Sequence, residues 1–332
     1  GVYNMQGIKV IRSLDSTSFT ESTTKTIQIP KSYIAGFLID AELDITTTSS
    51  ASTMTAQSLA RTVLKTVRVV LGGSDVRYNV TGNFLNLQNV YLTGNASDVT
   101  IDNSVAANKT TRISLFFPTS TINQTVNFGD TTLNASQSDT AILEYTFGSA
   151  ADVDPAGNSA INSGTVKASA IVFEGVTGRS SAPSIAGQRT QTLSLASGSE
   201  STLDLATGGQ IGNVPLNQYI GLYIIFENSS NALVDAASAI SAVNLNAIGD
   251  TFIQSNPREL LQQQNFESMA SSSDMTGGLF LTLAGSGFGA RKLTTRIIAK
   301  APQISQLQLQ LTGSATGTAT IVSHFSNAPI AV

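Results

Sequence analysis

Apolar and polar residues alternate along this chain in short runs. In "QLQLQLTG", from Gln306, the residues Leu307, Leu309 and Leu311 fall on one face of an extended segment. "RISLFFP", "TAILEYTFG", "VKASAIVFEG", "LFLTLAG" and "TATIVSHF" are runs of the same kind. They are rich in β-branched and aromatic residues and bounded by Gly, Pro, Asn or Ser. Most are too short and too closely punctuated for helices. The pattern predicts antiparallel sandwiches rather than βαβ units.

Part of the pattern occurs twice. "IPKSYIAGFLIDAE" at residues 29 to 42 and "VPLNQYIGLYIIFE" at 214 to 227 align without a gap. Pro30 meets Pro215, Gly36 meets Gly221, Ile39 meets Ile224 and Glu42 meets Glu227. A Ser/Thr- or Ala-rich stretch follows in each copy. Then comes a strand in which Val67, Val69 and Leu71 correspond to Val243, Leu245 and Ala247. Each ends in a Gly turn with an acidic residue, Asp75 or Asp250, and a further strand. The second copy is shorter, and the difference falls in the loop, where length changes cost least.

Both copies then change period. In "SNPRELLQQQNFESMA", Asn256 suits an N-cap, Pro257 the first helical position and Glu259 the return arm of a capping box. Leu260, Leu261 and Met269 would face the core. In "TGNFLNLQNVYLTG", Phe84, Leu87 and Tyr91 recur at helical spacing with Leu85 and Leu92 beside them, and Gly94 suits the end. "MTAQSLARTVLKTV" places Ala56, Leu59, Val63 and Val67 at helical spacing and predicts a short helix ahead of the strand. Strands resume with "TTRISLFFP", "TINQTVNFG", "TAILEYTFG" and "GTVKASAIVFEG" in the first half. In the second they resume with "GGLFLTLAG", "KLTTRIIAKAP", "QLQLQLTG" and "TATIVSHFS". A leading strand, "TKTIQIP" in one half and "QRTQTLSLAS" or "STLDLA" in the other, brings each to eight.

The expected fold is all-β: two tandem eight-stranded jelly-roll β-sandwiches, each with a short helix after its fourth strand. The first jelly roll is expected over 1–177 and the second over 189–332. "GRSSAPSIAGQ" at 178–188 reads as the linker.

Composition narrows the function. A chain of 332 residues with 41% apolar content sustains two cores. Charged residues make up 12%, about half the usual roughly 25%. A surface poor in Lys and Glu loses little side-chain entropy when covered, which suits flanks buried by neighbours. An extracellular β-protein shares this composition. The chain has no Cys, so disulfides, zinc thiolates and Cys nucleophiles are excluded. The single His, His324, would have to carry any triad or His metal site alone. Net charge is −4 with scattered basic residues, so direct nucleic-acid binding is not expected. No apolar run reaches the ~18 residues a membrane helix needs. "GVYNMQGIKVIR" lacks the pattern of a signal peptide.

Few residues suggest chemistry. Asp152, Asp154 and Asn158 in "DVDPAGN" are the candidates for a Ca²⁺ site at a subunit contact. They do not match an EF-hand loop, and a solvated turn is the plainer reading. "GSGFGARK", from Gly285, has the glycines of a phosphate loop without its Gly-Lys-Ser/Thr ending, and reads as a hairpin turn. His324 reads as a half-buried strand residue beside Phe325. The Asn-x-Ser/Thr triplets at Asn79, Asn95 and Asn123 are expected by chance in so Asn-, Ser- and Thr-rich a chain. Tyr3, Met5, Ile8, Lys9, Ile11 and Arg12 suit either an ordinary first strand or an arm reaching lipid or a neighbour. No cofactor and no enzymatic activity are expected.

"IPKSYIAGFLIDAEL", followed by "KTVRVVLGG", "DVRYNVTG" and the helix "NFLNLQ", resembles the first half of the double jelly-roll major capsid proteins of tailless icosahedral, membrane-containing viruses of the bacteriophage type. The resemblance implies a homotrimer with a nearly hexagonal outline that contacts neighbouring capsid trimers, minor capsid proteins and an internal membrane. It implies location in the virion shell after assembly in the host cytoplasm. The loop at 46–58 and the segment 148–164 would lie on the outer surface. The alternative is a carbohydrate-binding or adhesive surface protein, lectin-like or receptor-binding. That reading asks for exposed aromatic residues, and the chain has no Trp and 6% aromatics. A cupin-type enzyme would need several His ligands.

Overall fold

The structure, a computed structural model, describes residues 6–93, 97–119, 133–177, 185–205, 210–211, 214–215, 218–247, 250–268, 275–282, 297–298 and 307–327. The chain divides into two compact units, Gly1–Pro183 and Ser184–Val332.

In the first unit, β1 (Gln6–Ser18), β2 (Thr24–Gln28) and β3 (Tyr33–Thr47) precede helix α1 (Ala56–Val63). The hairpin β4 (Thr66–Leu71) and β5 (Asp75–Val80) leads into α2 (Gly82–Thr93). Then come the short β6 (Val99–Thr100), the long β7 (Ala106–Pro118) and the short β8 (Leu133–Asn134). β9 (Ala141–Thr146), α3 (Ala150–Val153) and β10 (Ser159–Thr177) complete the unit. One sheet runs β1-β10-β3-β7, with β6 beyond β7 and β8 on β3; the other runs β2-β9-β4-β5.

The second unit opens with β11 (Ile185–Leu195) and β12 (Glu200–Asp204), and the two-residue strands β13 (Gln210–Ile211) and β14 (Val214–Pro215) pair with each other. β15 (Gln218–Asn228), α4 (Ala236–Ala239), β16 (Ile240–Ala247), β17 (Asp250–Ser255) and α5 (Pro257–Ser268) follow. β18 (Gly278–Thr282), β19 (Ile297–Ile298), β20 (Leu307–Gly313) and β21 (Gly317–Asn327) end it. Its sheets run β11-β21-β15-β18, with β19 also on β15, and β12-β20-β16-β17.

Numbered by chain order among the eight principal strands, both units arrange one sheet as 1-8-3-6 and the other as 2-7-4-5. That is the jelly roll. The helix follows the fifth principal strand instead of the fourth. The reason lies at the start of each half. Residues 6–18 form a true first strand, and in the second half both "QRTQTLSL" (in β11) and "STLD" (in β12) lie in strands. The expected strand "TINQTVNFG" lies outside the described residues. The linker expected at 178–188 overlaps β11, since residues 185–188 already pair in register with β21; residues 178–184 lie outside the described residues.

Alternation produces the cores. Leu307, Leu309 and Leu311 are fully buried, each worth on the order of 2 kcal/mol. With Leu222, Ile224, Phe226, Leu245 and Ile321 they form the inside of the second sandwich. In the first, Phe117 joins the two sheets. Its ring lies 5.8 Å from Phe37 and meets Tyr78 of the opposite sheet edge-on at 5.7 Å.

The helices begin as their sequences dictate. Glu259 N–H donates to Asn256 Oδ1 at 3.1 Å, and Asn256 N–H donates back to Glu259 Oε2 at 3.3 Å, the expected capping box. Leu260 is buried, while Met269 lies outside the described residues. The short helix expected near Ala56 is α1, capped by Thr55 and Ser58 in the same reciprocal way.

The repeat seen in the sequence occupies one place in both sandwiches. β3 and β15 are each the third principal strand. Ala35 has no partner in the register with β10, and Ile220 has none in the register with β21. Each is the extra residue of a bulge, and each precedes the paired glycine, Gly36 or Gly221.

Candidate assembly surfaces

Loops gather at one end of the first sandwich. Residues 46–47 of the expected outer loop belong to β3 and 56–58 to α1, leaving 48–55 as loop. This loop is pinned from two sides. Asn103 accepts from Ser52 Oγ at 2.7 Å and Met54 N–H at 3.1 Å, and donates to Met54 O at 3.1 Å. Asp154 accepts from Thr53 N–H at 3.3 Å, Thr53 Oγ1 at 3.1 Å and Asn158 N–H at 3.2 Å. Burial pushes the Asp154 carboxyl up, but hydrogen bonds from Ser159, Thr53 and Ala156 outweigh it and hold the group below the usual carboxylate range. Below them, the buried Lys109 ammonium donates to Thr47 Oγ1 at 3.0 Å and to the Asp102 and Ser104 carbonyls at 2.6 and 2.5 Å. Its charge closes the barrel end with its donors satisfied.

The side chains of the three sequence candidates for a metal have different partners, and Asp154 also accepts from the Asn158 backbone N–H. Asp152 accepts from Ser149 N–H at 2.8 Å at the start of α3 and pairs with Lys65 at 3.2 Å. Asp154 holds the loop, and Asn158 Oδ1 accepts from Ser49 Oγ at 3.1 Å. Among the described residues no group of three His, Cys, Asp or Glu is gathered as for a metal ion. "GSGFGARK", Asn95, Asn123, Tyr3 and Met5 lie outside the described residues; Asn79 sits in β5. His324 is more buried than expected, at 7% exposure, with its Nδ1 3.4 Å from the Tyr223 hydroxyl. Ile8 to Arg12 belong to β1, so the first-strand reading holds over these residues, not the arm.

One helix in each unit grips the flank of a neighbouring strand: α2 grips β7 past the end of β6, and α5 grips the edge strand β18. Asn89 Nδ2 donates to Phe116 O at 2.7 Å, and Phe116 N–H donates to Asn89 Oδ1 at 2.8 Å. In the second unit Phe280 N–H donates to Gln264 Oε1 at 2.6 Å, and Gln264 Nε2 donates to Gly278 O at 3.5 Å. Each carboxamide stands in for a further strand and blunts an edge that would otherwise invite pairing. α2 is buried almost all round: Phe84, Leu85 and Leu87 as expected, but also Asn83, Asn86, Gln88 and Asn89.

Solved structures superpose on nearly the whole chain. The STIV MCP does so with a TM-score of 0.73 at 13% identity, covering 97% of this chain and 98% of that one. PBCV-1 VP54, fitted into a reconstruction of the virophage Sputnik, gives 0.63 at 12% identity over 98% and 95%. The major capsid protein P2 from Bacteriophage PM2 gives 0.57 at 11% identity over 96% and 97%. This chain is a double jelly roll. No protein-family model matches it, and no curated protein does. At these identities the shared property is the strand order and not the side chains.

The described residues display little bare apolar surface. Among the described residues the exposed large hydrophobics are Ile8 at 72%, Ile11 at 59% and Val105 at 54%. Two of the three lie on β1, an edge strand. An open cleft of about 560 Å³ beside it is lined by Arg12, Lys31, Tyr33, Ser136 and Glu174. Arg12 is ion-paired to Glu174 there. Hydrophobic alternation marks neither the carboxamide clamps nor Lys109, because it registers only apolar positions.

Proposed function

We propose that this chain is the major building block of an icosahedral virus shell, acting mechanically and not as an enzyme. Three copies form a trimer of nearly hexagonal outline, and trimers tile the shell of a virion. The observation that carries the reading is the duplication: two sandwiches of identical strand order in one chain, along which solved major capsid proteins superpose over nearly their full length. The physical logic is one of edges. One chain with two similar sides gives a trimer six similar edges, so a single protein tiles a shell whose symmetry alone would demand separate ones.

The low charge content supports repeated burial of the flanks. Each subunit would bury well over ~2,000 Å² in total, as obligate assemblies do. The pinned loops at 48–55 and around Asp154 belong, in this reading, to the outer surface. Contacts with minor capsid proteins and an underlying membrane, and assembly in the host cytoplasm, are part of the same proposal. The carbohydrate-binding alternative gains no support from the exposed apolar residues, none of which is aromatic among the described residues.

Sedimentation of the purified chain over a wide concentration range tests the reading. Trimers and larger closed species are expected. A chain that stays monomeric throughout, or that binds glycans as a monomer, overturns it.

A further inference from the structure

The ladder around the repeated glycines can be compared residue by residue. In the first unit Ile11 pairs with Ile171, Ile171 with Gly36, and Leu38 with Phe116. In the second Gln188 pairs with His324, His324 with Gly221, and Tyr223 with Phe280. These are the same four positions on the outer face of the same sheet, the face turned away from the sandwich interior. In the second unit all four are buried, at 3%, 7%, 8% and 2% for Gln188, His324, Tyr223 and Phe280. In the first unit Ile11 is 59% exposed and Ile171, Leu38 and Phe116 are half-buried. The patch is continuous, because a Cβ on Gly36 would lie 2.6 Å from Phe116 Cε2, so the ring lies against the glycine beside Ile171.

We infer that this outer face of the first unit, made by Ile11, Ile171, Leu38 and Phe116, is a contact surface between subunits whose occupant is a second copy of this chain. The inference rests on the assembly reading above and names the surface that does the work. Two observations select the occupant. First, the same four positions are buried in the second unit and open in the first, so the first-unit copy is the one left for another chain to cover. Second, the charges on this face balance. Lys9, Lys167 and Arg112 stand against Asp40, Glu42 and Asp44, and Glu42 pairs with Arg112 at 2.7 Å. A balanced face has no preference for nucleic acid or an anionic bilayer. It fits a partner as poor in charge as this chain, whose charged fraction is 12%.

The chain has no Cys, so a single introduced thiol reports its own site. Ile11→Cys and Leu38→Cys should react with a maleimide at least tenfold more slowly in the assembled protein than in the dissociated chain. Equal rates at both positions overturn the inference. In parallel, Ile11→Glu combined with Leu38→Glu should weaken association at least tenfold with an unchanged circular-dichroism spectrum. Association equal to the wild type overturns it. Should the charged variant lose its fold, the labelling rates decide alone. A wild-type chain that never associates defeats the assembly reading itself, and sedimentation detects that without any variant.

Discussion

Gly36 and Gly221 hold the same position in the two sandwiches, each one residue past a bulge and each beneath an aromatic ring. Their tolerances differ. A Cβ at Gly36 would lie 2.6 Å from the Phe116 ring and 2.7 Å from the Phe117 carbonyl, which cannot yield without moving β7. At Gly221 the nearest atoms, of Tyr223 and the Leu281 carbonyl, lie at 3.1 and 3.2 Å. Gly36→Ala should therefore destabilise by about 1–3 kcal/mol, as overpacking does, and Gly221→Ala by less than about 1 kcal/mol. Urea unfolding of the dissociated chain measures both; an equal cost contradicts the ranking.

Asn89 and Gln264 predict a matched pair of losses. Replacing either with Ala leaves a strand N–H, of Phe116 or Phe280, without its carboxamide acceptor, at about 1–3 kcal/mol each. The two sites share no partner, so the double variant should lose the sum. Marked non-additivity, or a cost near zero at either site, would remove the clamp from the account.

The strand pattern was legible because each sandwich buries one face of its strands, which forces alternation at residues such as Leu307, Leu309 and Leu311. The repeat was legible because a bulge followed by a tight glycine admits few substitutes. The status of β1 was not, because its residues lie largely exposed on both faces and Ile8 and Ile11 follow no burial period. With β1 counted as the first strand, the helix follows the fifth strand and not the fourth. The clamps were hidden for a different reason: in a chain rich in Asn and Gln, one carboxamide in a helix looks like another. Only the fold brings Asn89 to Phe116 and Gln264 to Phe280.

Two buried tyrosines separate packing from hydrogen bonding. Tyr78 donates to Thr119 O at 2.8 Å, whereas the Tyr145 hydroxyl has no hydrogen-bond partner among the described residues. Tyr78→Phe should cost about 1 kcal/mol and Tyr145→Phe close to nothing. Burial, reinforced by Asp15, pushes the Tyr145 hydroxyl up to about 12, and burial raises Tyr78 further against the opposing pull of Arg77. Both are thus held neutral by the fold. Their contribution is complete below pH ~10, the ordinary tyrosine value, and is lost as pH rises, for Tyr145 between about 10 and 12. Tyrosinate absorbance should show these two ionising only with unfolding; titration near pH 10 in the folded chain contradicts the assignment.

Asp154 gives the opposite pH dependence. Its carboxylate is favoured by the fold, so its contribution is present above the ordinary Asp value of 3.8 and is lost as pH falls below it. Loop 48–55 should open first in acid. Hydrogen exchange at the Thr53 amide should accelerate on acidification beyond its intrinsic pH dependence. In Asp154→Ala it should already be fast at neutral pH and carry no such extra acid response. An unchanged Thr53 amide in that variant would show that other contacts hold the loop.

Electron cryomicroscopy of the purified assembled protein tests the central claim most directly. The duplicated sandwich predicts closed shells tiled by blocks of nearly hexagonal outline, each made of three copies of this chain. A shell whose blocks contain any other number of copies, or a sample that holds only single chains, contradicts it.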